Sequence, residues 1–221
     1  MIGFFDIFNT SEDRANTFNM SGPLRNRLLQ VNLADPNIQE WTEWAANNKI
    51  NPDVIVFLNW KQDYLHTFYK NKDAHVFATP RSWANVSKLL ESASKESNIK
   101  QLVASAVGQG IAIEFCAFQK LNSKFDINEI LKKPNLVKDI KEISIKYALI
   151  STLVGKYRSS RESLRDIIAV SNQLDAEFGI LLARMLKSSS KQFDADFKTL
   201  FQTGDKQVKE AIDRIWKFLK D

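Results

Sequence analysis

"FATPRSWANVSKLL" (residues 77–90) is the stretch that decides how this chain is read. Thr79 is a good N-cap, Pro80 suits the first helical position, and Trp83, Val86, Leu89 and Leu90 recur at helical spacing. One residue goes against the pattern. Arg81 places a cation in the first turn, where the positive pole of the helix macrodipole disfavours it. Taken alone, Arg81 has two readings. It is a surface arginine paired with a carboxylate, an arrangement of little energetic worth, or it is a contact for an anion, which the unpaired N–H groups of a first turn also attract.

Outward from this stretch, nearly everything after Pro36 reads as helix. "PNIQEWTEWAANN" (36–48) follows Asp35, which we take as its cap before a proline. Asn51-Pro52 opens a helix through about residue 59. Gly108 and Gly110 separate a helix around 99–107 from "IAIEFCAFQKL" (111–121). Ser159 and Glu162 have capping-box spacing ahead of Leu164, Ile167, Ile168 and Leu174. Phe178, Leu181, Leu182 and Met185 form one apolar stripe, and Val208, Ile212, Ile215 and Leu219 another; such stripes are core-facing. Two stretches read as strands. "GFFDIF" (3–8) is apolar apart from Asp6, and "LLQVNL" (28–33) alternates with Leu29, Val31 and Leu33 on one face. The expectation is strand confined to about 2–8 and 28–33, and a mainly helical chain beyond.

Composition agrees with this and narrows the function. Seven glycines and five prolines in 221 residues suit a helical protein, and a hydrophobic fraction of 44% is that of a globular one. Cys116 is the single cysteine, so no intramolecular disulfide forms, and a reducing, cytoplasmic setting is expected. No apolar run reaches the roughly 20 residues of a membrane helix. The net charge of +5 is spread along the chain, without a basic cluster interleaved with aromatics, so nucleic acid is not the expected partner.

Familiar catalytic motifs are missing. His66 and His75 are spaced for neither a zinc protease helix nor a zinc finger. No G-x-S-x-G elbow occurs. Gly155-Lys156 has Ile150 where a phosphate loop needs glycine and Tyr157 where it needs Ser or Thr. Gly108-Gln109-Gly110 lacks the preceding strand and third glycine of a dinucleotide fingerprint. By these motifs the chain holds no complete catalytic site.

Several segments nevertheless resemble one family, in order along the chain. "NTSEDRANTFNMSGPLRNRLLQVNL" (9–33), "EWTEWAANNKINPDVIVFLNWKQDYLHTF" (40–68), "FATPRSW" (77–83), "VGQGIAIEFCAF" (107–118) and "LDAEFGILLARMLKSSSKQF" (174–193) are similar to the C-terminal portion of MoxR-like AAA+ ATPases. The resemblance implies a remnant of the α/β ATPase core over 1–35, a helical lid domain over 36–125 and a C-terminal helical extension over 126–221. It implies site residues too. Asn9 matches sensor one, the polar residue that orients the attacking water. Arg27 matches the arginine finger that reaches a neighbouring subunit's nucleotide, with Arg25 as the alternative. Arg81 matches the sensor-two arginine at the start of a lid helix. Read without the family, Arg27 is a solvated loop arginine and Asn9 a turn residue leaving a strand.

The family's phosphate loop and metal-binding acids would precede Asn9. Asp6 does not replace them, because Ile7 stands where the second acid of a Walker B strand belongs. The resemblance therefore implies a truncated frame, one half of a split protein or a fragment. Such a piece is inactive alone and takes ATP and Mg²⁺ only with an N-terminal ATPase half. Its implied partners are that half or homologous AAA+ subunits in a ring, expected to be a hexamer, and a von Willebrand A domain protein. The alternative is a non-enzymatic helical interaction module derived from the lid.

Overall fold

The computed structural model describes residues 21–29, 31, 34–68, 75–94 and 96–214. Two units divide the chain, Met1–Asp35 and Pro36–Asp221. In the first, a single turn of helix, α1 (Gly22–Arg25), begins on Gly22-Pro23. Leu28, Leu29 and Val31 follow, in no strand and exposed, Leu29 at 98%. Their alternation needs a second strand to pair with, and the described residues contain none. The other strand expected, 2–8, lies outside the described residues, and so does Asn9.

The second unit is mainly α. Its helices are α2 (Ile38–Asn47), α3 (Pro52–Trp60), α4 (Pro80–Ser92), α5 (Ile99–Val107), α6 (Gln109–Lys120), α7 (Ile127–Lys132), α8 (Ile143–Ser159), α9 (Leu164–Ser171), α10 (Ala176–Ser189), α11 (Phe193–Gln202) and α12 (Lys206–Arg214). Short 3₁₀ turns join several of them, among them Gln62–Tyr64 and Arg161–Ser163. Every regular element among the described residues after 37 is helical, as expected. No helix among them is long and apolar enough to cross a membrane.

Local chemistry sets the helix starts. Asn37, not Asp35, caps α2: its side chain accepts from the Glu40 N–H at 2.9 Å, and the Glu40 carboxylate accepts from the Asn37 N–H at 3.1 Å. That reciprocal pair satisfies two first-turn donors, which Asp35 would not do. The Ser159–Glu162 capping box does not form either. Helix α8 runs on through Ser159, whose hydroxyl donates back to the Lys156 carbonyl at 2.9 Å, and a 3₁₀ turn precedes α9.

Helix α3 is central. Val54, Ile55, Val56, Phe57 and Leu58 are all fully buried, so the helix is covered on every side. The Phe57 ring meets Phe115 at 5.2 Å, Phe118 at 5.6 Å and Trp83 at 5.7 Å between centroids, joining α3 to α6 and α4. Against α3 also lies α8, with Leu149, Ile150, Leu153 and Val154 fully buried. One hydrophobic core runs from Trp41 to Ala211. A polar junction accompanies it: Asp53, in the first turn of α3, accepts from Gln119 Nε2 of α6 at 3.0 Å and from the Ser151 hydroxyl of α8.

Candidate functional site

Arg81 is positioned by the way α4 begins. Thr79 Oγ1 accepts from the Ser82 N–H at 3.1 Å, and Ser82 Oγ accepts from the Thr79 N–H at 2.8 Å, a capping box closed by serine. The chain entering it is pinned, since Thr67 and Ala78 exchange two hydrogen bonds, 2.8 Å between backbones and 2.9 Å to the Thr67 hydroxyl. Below the first turn, Trp83 is fully buried, and its indole N–H donates to the Tyr64 carbonyl at 2.7 Å. One turn further along, Ser87 accepts from the Asn51 N–H at 2.9 Å and ties α4 to the start of α3.

Arg81 takes no part in this bracing. It is exposed, no acid stands in the first turn of α4, and it has no hydrogen-bond or ion-pair partner among the described residues. Its guanidinium and the positive end of α4 thus add at one place without a neutralising carboxylate. Arg27, in the first unit, is exposed in the turn after α1, its backbone N–H donating to the Leu24 carbonyl at 3.0 Å. Arg25 is the last residue of α1. Asn9 lies outside the described residues.

The fold also assembles groups that local sequence does not announce. The Tyr64 hydroxyl donates to one carboxylate oxygen of Glu114 on α6, and Lys61 Nζ is 3.3 Å from the other. The hydrogen bond to Glu114, then burial, pushes the Tyr64 phenol up to about 12. A phenol so held stays protonated near neutral pH and acts as a brace between the α3–α4 connection and α6. On α8, Arg158 Nη1 donates to the Ile50 carbonyl at 3.2 Å, while its Nε is buried without a partner among the described residues. Burial lowers the pKa of this guanidinium, partly offset by the charge of Glu91. These partners are 50 and 108 residues apart in sequence, so no spacing motif could reveal them.

An open cleft of about 580 Å³ lies along α5, with His75, Lys100, Gln101 and Gln109 on its walls and no acid among its lining residues. At its end, Gly108 joins α5 to α6 with φ +93°, and the first turn of α6 has no side-chain cap. A side chain there would be strained by that φ, and its Cβ would lie 3.4 Å from the Val76 carbonyl oxygen. Arg81 does not line this cleft.

Among the described residues, no group of three or more His, Cys, Asp or Glu side chains could hold a metal ion. The sequence has no phosphate loop. Arg81 stands among the described residues as an exposed cation at the start of α4. Comparison of the chain with protein families, with curated proteins and with solved structures finds no match in any of the three.

Proposed function

We propose that this chain is the nucleotide-sensing C-terminal part of a MoxR-like AAA+ ATPase, with Arg81 as the residue that contacts phosphate. The observation supporting this reading is the un-neutralised Arg81 in a first turn whose other residues are fixed by capping and packing. An arginine there is electrostatically disfavoured while the site is empty. It becomes favourable when a phosphate arrives, because guanidinium and first-turn N–H groups attract the same charge. In this reading Arg27, or Arg25, serves as a finger toward a neighbouring subunit, and Asn9 orients the attacking water. ATP and Mg²⁺ are held by an α/β half bearing the phosphate loop and metal acids, and the chain alone does not hydrolyse ATP. The working assembly is a ring, expected to be hexameric, in which a von Willebrand A domain protein is a candidate partner.

The test supplies an α/β half, by fusion or in trans, and titrates a fluorescent ATP analogue. Arg81→Ala should weaken binding several-fold or more, and Arg81→Lys should restore part of it. Arg27→Ala should leave binding nearly intact and lower turnover on the order of 10³-fold, the scale of arginine fingers. Equal and small effects of Arg81→Ala and Arg27→Ala on binding and turnover would reject the assignment.

A second reading has its own observation. Leu24, Leu28, Leu29 and Val31 are exposed within eight residues of sequence, Val31 at 77%. Under this reading the chain is a helical interaction module that buries this apolar segment against a partner. Sedimentation of the full chain against residues 36–221 tests it: concentration-dependent association present only in the full chain favours a module, and identical monomeric behaviour of both argues against it.

A further inference from the structure

We draw no further inference here: the strongest candidate, the open cleft along α5 that ends at the uncapped first turn of α6, gathers Lys100 and His75 without an acid but rests on a helix N-terminus and exposed side chains, and nothing in the structure shows what fills it.

Discussion

Asn51-Pro52-Asp53 and Thr79-Pro80-Arg81 start two helices on one plan, a capping side chain, then proline, then a charged residue in the first turn. The charges are opposite, and so are their surroundings. Asp53 complements the dipole of α3 and is held by donors from α6 and α8. Arg81 opposes the dipole of α4 and is exposed, with no partner among the described residues. A first-turn charge that the fold uses is recognisable by its sign and its tertiary bonds. Arg81 has neither, which is why stability does not account for it.

The comparison breaks most readily at Asp53. Replacing it with alanine removes a charged acceptor from a three-helix junction and leaves the Ser151 hydroxyl and the Gln119 amide without that partner. We expect a loss of about 2–4 kcal/mol, from typical charged hydrogen bonds and unsatisfied buried donors. The urea midpoint, at unchanged slope, measures it. A loss under about 0.5 kcal/mol would mean that the junction is not what joins α3 to α6 and α8.

The caps come next in size. Thr79→Ala should cost about 1 kcal/mol, the usual value for a lost cap, because the buried Trp83 and the Thr67–Ala78 bonds still hold α4. Chemical denaturation gives the number. A loss as large as that of Asp53→Ala would show that the start of α4 depends on its cap far more than on packing, and would weaken the contrast between the two helices.

How much of this was legible in sequence follows from the range of each interaction. Asn51-Pro52 and Thr79-Pro80 could be read because a cap bonds within three residues of itself. Gly108 marked the α5–α6 boundary because its positive φ suits glycine. Two caps were misplaced for reasons equally local. Asp35 and Asn37 are both good caps flanking a proline, and the choice falls to Asn37 because Glu40 can return the bond. Ser159 serves α8 because its hydroxyl finds the Lys156 carbonyl within the helix. The contacts of Asp53 with residues 66 and 98 positions away had no sequence signal. Nor did the Tyr64–Glu114 bond. At Arg81 the sequence showed the anomaly, and the structure adds that the fold leaves it unanswered.

Alkaline pH sharpens the comparison on the α4 side, with a smaller effect. The Tyr64 phenol is raised from 10.0 to about 12 in the folded chain, so the folded state holds this proton more tightly than the unfolded one. Its stabilising contribution is complete below pH 10 and is lost as pH rises from 10 to 12. Part of the Tyr64 surface is exposed, so solvent screening keeps the effect modest. Tyr64→Phe should flatten the fall in stability over that window. An unchanged slope in the variant would mean that the Tyr64–Glu114 bond contributes nothing there.

The smallest expected change is also the most telling, because its sign separates two accounts of Arg81. In the isolated chain, Arg81→Glu replaces an unfavourable first-turn charge with a favourable one, so stability should rise by about 0.5–1 kcal/mol. A structural arginine in a weak surface pair would show the opposite, a small loss. Salt discriminates further: dipole and surface effects fade between low and high ionic strength, so the gain should shrink as salt is added. Under the proposed function, the same substitution in the protein reconstituted with an α/β half should then abolish nucleotide binding at concentrations where the parent is saturated, since a carboxylate would meet phosphate at the first turn. A stabilised chain with lost nucleotide response is the signature of a residue kept for a ligand at the expense of the helix that carries it. If Arg81→Glu instead destabilises the isolated chain and leaves nucleotide binding unchanged, Arg81 belongs with Asp53 as part of the fold, and the difference between the two helix starts has no functional meaning.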